Sequence, residues 1–137
     1  MGLIFDSSVI IDAERRGDNV TQLLKQVFAS TGNQEVALSS IGLTELVHGI
    51  YRAQAAQVRS RRESFLQDLL KDMDVFPYTR DTALLAGKID GEQQSRGIVI
   101  PFADLLIGAT ALLSGYSILT VNARHFRLIP DLSVIQL

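Results

Sequence analysis

The chain contains no cysteine. That excludes disulfide staples, thiolate zinc sites and a cysteine nucleophile. No basic segment leads into a long apolar run and cleavage site, so no secretory signal is expected. The longest apolar stretch, around Leu105 to Leu113, is interrupted by Gly108 and Thr110 and is too short to span a bilayer. A cytoplasmic protein with no membrane span is the expectation. There is no Gly-rich phosphate loop and no Gly-x-Ser-x-Gly elbow, so neither a nucleotide cradle nor a serine-hydrolase triad is supported. Internal repeats, low-complexity segments and interior linkers are missing too. So is a basic excess: the net charge is −2. That weighs against nucleic-acid binding through overall charge, although an acidic site would itself supply several negative charges, and local distribution matters more than the sum.

What is present suits one compact domain. The 137 residues are 47% apolar, enough for a real core and too apolar for disorder. We assign residues 1–137 to one domain. Apolar runs alternate with helical patterns. Leu3 to Phe5 reads as a strand buried on both faces. Ser7 and Ser8 are candidate N-caps for the helix after it. Asn19 to Ser30 is helical, with Val20, Leu23, Leu24, Val27 and Phe28 along one face. Glu35 to Ser39 reads as a strand. Helices are expected from about Leu43 to Ala53 and Ala55 to Asp72, then a short strand at Val75 and Phe76. Thr79 to Arg96 is helical, with Ala83, Ala86, Ile89 and Gln93 down one side. Ile98 to Ile100 is either strand or packed linker. Pro101 to Ser114 is a helix closed by Gly115, with proline near its start and glycine past its end. Ser117 to Val121 and Val134 to Leu137 complete the strands. Gly108, Ala109 and Ala111 read as small residues that let a helix approach the sheet. This alternation implies a mainly parallel sheet covered on both faces.

Three acids stand out. Asp6 ends the first apolar run, Glu45 lies near the head of a helix, and Asp104 opens another helix, whose dipole favours an anion. In parallel sheets, ligands bind beyond the carboxyl ends of the strands, near the switch in strand order. Asp6, Glu45, Asp104 and also Asn122, just past the Ser117 to Val121 strand, all point to that rim. Singly, each acid could be a cap or a solvated helix residue. Gathered, they would repel one another until a hard divalent ion such as Mg²⁺ arrived. Asp12, Glu14 and Asp18 are expected to be solvated, as are Asp90 and Glu92. Arg52, Arg59, Arg61 and Arg62 form the densest basic cluster, either a solvated helix face or an edge that contacts phosphate or a partner. Glu45-Leu46-Val47-His48 has the spacing of a di-iron motif, but the second copy and the four-helix scaffold are missing.

These residues resemble the PIN-domain ribonucleases, most closely the VapC-type toxins of bacterial toxin–antitoxin pairs. Leu3-Ile4-Phe5-Asp6 looks like the family's opening strand and metal aspartate. Leu43-Thr44-Glu45-Leu46 looks like its second acidic motif, and Pro101-Phe102-Ala103-Asp104-Leu105 like its third. Leu119-Thr120-Val121-Asn122-Ala123-Arg124-His125-Phe126 resembles the fourth, with a departure. Family members often carry an acid at the Asn122 position or just before the phenylalanine, and this chain has Asn122 and His125.

The resemblance implies a three-layer α/β/α PIN-like fold and a metal-dependent endoribonuclease. In it, Asp6, Glu45 and Asp104 hold one or two Mg²⁺ or Mn²⁺ ions, and Asn122 helps to place water or a ligand oxygen. Ser8 and Thr120 are candidate hydrogen-bond partners of the carboxylates. The resemblance also implies an RNA substrate, a VapB-type antitoxin that blocks the site, and a homodimer. Arg52, Arg59, Arg61 and Arg62 are the candidate contacts for RNA or antitoxin. The alternative is a PIN-like binding module that has lost catalysis.

Overall fold

The computed structural model describes residues 2–137. Its strands are β1 (Gly2–Phe5), β2 (Glu35–Ser39), β3 (Asp74–Phe76), β4 (Ser117–Thr120) and β5 (Val134–Gln136). Its α-helices are α1 (Ser7–Arg15), α2 (Val20–Thr31), α3 (Ser40–Arg52), α4 (Ala56–Asp72), α5 (Arg80–Gln94) and α6 (Phe102–Ser114). The strands form one sheet in the order β3-β2-β1-β4-β5, and every pair is parallel. None of the helices described is long and apolar enough to cross a membrane.

Parallel strands need crossovers, and the helices supply them on both faces. Alternation along β1 decides which residue meets which layer. Leu3 and Phe5 pack with Val9, Leu23, Leu46 and Leu69 on one face. Ile4 packs with Ile89, Ile107, Ile118 and Phe126 on the other. Leu3, Ile4 and Phe5 are fully buried, so each contributes on the order of 1.5–3 kcal/mol of apolar transfer. The expected three-layer α/β/α architecture is the observed one.

The direction of winding reverses at β1. From β1 the chain steps to β2 and β3 on one side, then returns through α5 and α6 to β4 on the other. The carboxyl ends of β1 and β4 therefore flank the switch, where such sheets open a crevice.

Several boundaries differ from expectation, each for a local reason. α3 begins at Ser40, before the expected Leu43, because the Ser39 hydroxyl accepts the Gly42 N–H at 2.9 Å and caps the helix. Glu45 consequently lies beyond the first turn. Ser7 and Ser8 are not caps. Asp6 holds that position, without a side-chain capping bond, and both serines lie inside α1. On α5 the buried side carries Thr82 with Ala86, Ile89 and Gln93, while Ala83 is exposed. Ile98 to Ile100 is a packed linker, with Ile100 buried. Gly115 ends α6 in the left-handed region at φ 72°, which glycine adopts without a Cβ clash.

Gly108 has a different neighbour from the one expected. A Cβ there would lie 2.3 Å from Ile129 Cδ1 and 3.2 Å from Leu132 Cδ2. The glycine thus admits the segment that follows the 3₁₀ turn Phe126–Leu128, not the sheet. Gly108→Val should destabilise the fold by roughly 1–3 kcal/mol through overpacking. Adding Ile129→Ala should recover part of that loss, because the two side chains compete for one space. Denaturant melts of the two single variants and the double variant check this. Strictly additive losses would show that the contact does not set the packing there.

Candidate active site

Asp6 follows β1 directly and is 7% exposed. Its Oδ2 accepts from the Ser8 hydroxyl at 2.6 Å and from the Thr120 hydroxyl at 2.9 Å. Those hydroxyls in turn accept the backbone N–H groups of Val121 and Asn122. Ser8 belongs to the first turn of α1 and Thr120 ends β4, so one carboxylate oxygen ties both elements to the end of β1.

Glu45 comes from α3, and its Oε1 accepts from the Ser7 hydroxyl at 3.0 Å. Asp104 sits in the first turn of α6. Its Oδ2 lies 3.1 Å from Nδ1 of His125. In all three carboxylates the other oxygen has no hydrogen bond among the described residues.

The electrostatics show that the acids share one space. Burial raises the Glu45 pKa; the Ser7 bond opposes this, and the charges of Asp6 and Asp104 add to it. The Asp104 pKa is raised by burial and by the Asp6 charge, against the hydrogen bond and charge of His125. No lysine or arginine forms an ion pair with any of the three among the described residues. Asp6, nearly buried and held by two hydroxyls, and the half-buried Glu45 and Asp104, which no lysine or arginine meets, each keep a free oxygen and form a hard-ligand set that a divalent cation would relieve.

Among the described residues no three or more His, Asp or Glu side chains are gathered closely enough to hold a metal ion by themselves. Mg²⁺ does not require one. It keeps several waters and is held by one or two carboxylates together with substrate oxygens. The donor set therefore fits a hydrated divalent ion.

Asn122 lies at the same rim but is exposed, and its side chain makes no hydrogen bond among the described residues. Its backbone alone joins the network. His125, noted in the sequence only as a departure from a motif, is the residue that reaches Asp104. No local pattern announces that contact. The hint was its position, where an acid is usual.

The basic cluster is largely occupied inside the molecule. Arg61 Nε bonds Glu14 Oε1 at 2.5 Å, and Arg62 Nε lies 3.9 Å from Glu14 Oε2. Arg62 also donates to the Gly49 carbonyl, and Arg59 to that of Ala53, both near the end of α3. Arg52 is exposed and has no such partner among the described residues. Glu14, expected to be solvated, is 6% exposed. It is tolerated there because two guanidinium groups compensate it. Asp12 and Asp18 both pair with Arg16 at the surface. Asp90 is bonded by Gln94, and Glu92 pairs with Lys88.

A family model for the PIN domain matches residues 3–132. A Ribonuclease VapC of Rickettsia bellii is 34% identical over 98% of this chain and 96% of its own length. Ribonuclease VapC1 of Rickettsia felis is 31% identical over the same shares. Among solved structures, VapBC2 from Rickettsia felis, bound to a DNA fragment from its promoter, superposes with a TM-score of 0.85 at 22% identity. That match covers 100% of this chain and 99% of the other. FitAcB from Neisseria gonorrhoeae gives 0.82 at 23% identity, covering 97% and 96%. These structures establish likeness of fold.

The raised pKa values carry a stability consequence. A carboxyl whose pKa is raised by folding stabilises the native state while protonated. That contribution is full below the ordinary values, 4.5 for Glu45 and 3.8 for Asp104, and is lost as pH rises through the raised values. Glu45→Gln and Asp104→Asn should therefore melt a few degrees above wild type at about pH 7 without divalent ions. The gap should close at about pH 4. Millimolar Mg²⁺ or Mn²⁺ should raise the wild-type melting temperature more than that of either variant. Thermal melts across pH and ion concentration check both statements. Variants no more stable than wild type at about pH 7 would show that the acids do not strain the fold.

Proposed function

The chain belongs to the PIN-domain family, and on that premise we propose that it is a metal-dependent endoribonuclease toxin of the VapC type. The observation that carries this reading is the meeting of Asp6, Glu45 and Asp104, from three separate segments, at the β1/β4 switch. Each keeps one oxygen free. The curated relatives named as ribonucleases align over nearly the whole chain.

Asp6, Glu45 and Asp104 would hold Mg²⁺ or Mn²⁺. When bound, such an ion supplies Lewis acidity to a phosphodiester and lowers the pKa of water. The chain's own residues do the placing. Ser8 and Thr120 fix Asp6, Ser7 fixes Glu45, and His125 stands beside Asp104. Asn122, with its carboxamide free at the rim, orients water or a phosphate oxygen. Hydrolysis by water needs no side-chain nucleophile, and none is required of the serines, which are engaged with the carboxylates. An RNA loop or single strand exposes the backbone that such a cleft can admit. Arg52, exposed and without an ion-pair partner among the described residues, is the most available of the four arginines for RNA. Arg59, Arg61 and Arg62 border the corner between α3 and α4.

A VapB-type antitoxin is the proposed inhibitor. An apolar groove between α1, α3 and α4, lined by Ile10, Ile11, Leu46, Ile50, Phe65 and Leu66, suits a peptide segment. Arg15, Glu14 and Arg62 give it polar edges. We propose a cytoplasmic homodimer as the working form. The second reading, a non-catalytic binding module, draws on one feature: no fourth acid stands at Asn122 or His125.

Asp6→Ala, Glu45→Ala and Asp104→Ala should each lower Mg²⁺-dependent RNA cleavage by about a hundredfold or more. Double variants should lose little beyond the singles, because the three act as one unit. Expressed without a partner in a bacterium, wild type should arrest growth and Asp104→Ala should not. Asn122→Ala should slow cleavage only severalfold. Cleavage of total RNA and growth curves measure these effects. Equal toxicity of wild type and Asp104→Ala would favour the binding module.

A further inference from the structure

His125 is held firmly. Its carbonyl accepts the Leu128 N–H at 3.1 Å within the 3₁₀ turn, and the neighbouring Phe126 and Ile129 are almost fully buried. Phe126 packs in the same layer as Leu105, Leu106 and Ile107 of α6. The imidazole thus rides on an anchored segment beside the helix that carries Asp104, with its side chain 39% exposed. Its Nδ1 is 3.1 Å from Asp104 Oδ2. Nε2 has no partner among the described residues.

That separation has two uses. In one, Nδ1–H donates to the carboxylate and merely steadies it. In the other, nitrogen and oxygen are adjacent donors to one cation. Two donors at right angles on bonds of about 2.1 Å stand roughly 3 Å apart, so the pair matches one edge of an octahedron. An imidazole nitrogen changes which ion a site prefers. Carboxylates suit Mg²⁺, whereas imidazole strengthens the hold on transition ions in the order Mn²⁺, Co²⁺, Ni²⁺.

We propose that His125 is a nitrogen donor to the ion at this site and shifts its preference from Mg²⁺ toward Mn²⁺ and Co²⁺. The proposal rests on the reading of Asp6, Glu45 and Asp104 as a cation site. All-oxygen sites also bind Co²⁺ more tightly than Mg²⁺. The informative quantity is therefore the change in that ratio when His125 is altered.

The test is calorimetric titration of the purified chain with Mg²⁺, Mn²⁺ and Co²⁺, with the visible spectrum of the Co²⁺ form recorded alongside. His125→Ala, His125→Gln, His125→Asp and Asp104→Asn are compared with wild type. His125→Gln keeps a donor toward Asp104 and lacks the imidazole. His125→Ala and His125→Gln should weaken Co²⁺ binding about 10–100-fold, and Mg²⁺ binding at most severalfold. Their Co²⁺ spectra should shift as the nitrogen is lost. His125→Asp should tighten Mg²⁺ and narrow the Co²⁺/Mg²⁺ ratio. A ratio and spectrum unchanged in His125→Gln would overturn the proposal and leave the histidine as a hydrogen-bond partner only. If wild type and Asp104→Asn alike bind no ion at millimolar concentration, the cation site itself falls, and the proposal falls with it.

Discussion

A carboxylate at the end of the central strand is the constraint from which the rest of the rim follows. Asp6 is nearly buried, and a charge there is costly unless hydrogen bonds replace water. Ser8 and Thr120 do this from two directions, and the Asp6 N–H donates to the Leu119 carbonyl at 2.8 Å. The ends of β1 and β4 are thereby joined at the point where the winding reverses. The same hydroxyls hold the backbone of Val121 and Asn122. That fixes where the chain leaves β4. Ala123 and Phe126 then bury, and His125 between them arrives beside Asp104. One compensated charge sets the course of a whole segment.

The chain treats its buried and half-buried acids in two ways. Glu14 meets Arg61 and Arg62, and its charge is balanced within the fold. Glu45 and Asp104 receive no arginine or lysine. Their pKa values rise, chiefly through burial and further through the neighbouring carboxylates. A structural acid would be paired or replaced. Acids left without a lysine or arginine in a crevice are the pattern of a site in which stability is given up for binding, which is the reading proposed for them above. Two well-packed layers against the sheet supply the stability that makes this tolerable.

The sheet and its helices were legible because their signals are local. Leu3 to Phe5 is too apolar for a one-sided strand, and Pro101 with Gly115 brackets α6. The rim was legible because strand ends and helix starts in a parallel fold share one side. Interactions between distant segments were not legible. Glu14 and Arg61 are separated by 47 positions, and His125 and Asp104 by 21. Nothing near Glu14 in sequence distinguishes it from Asp12, two positions earlier, whose side chain is half-exposed and paired with Arg16. The internal pairing of the arginine cluster was hidden for the same reason. Counting its charges could not show that Glu14 and the end of α3 engage Arg59, Arg61 and Arg62. Gly108 failed differently: its smallness was plain, but its neighbour Ile129 was fixed only by tertiary packing.

That internal use of arginine bears on how such a surface could meet RNA. The net charge is −2, and two of the four clustered arginines are spent on a buried glutamate. Long-range attraction for a polyanion is correspondingly weak. The rim itself is acidic and would repel phosphate. On the function proposed here, the sign of the rim must change before substrate can enter, and bound cations can change it. The acids would then serve twice. They would hold the ions that promote hydrolysis, and they would keep the crevice closed to RNA until those ions were in place. A fourth acid would deepen the initial repulsion. A neutral Asn122 and an imidazole at His125 reduce it while still offering donors, so the departure from the usual motif lowers the charge to be overcome without emptying the site.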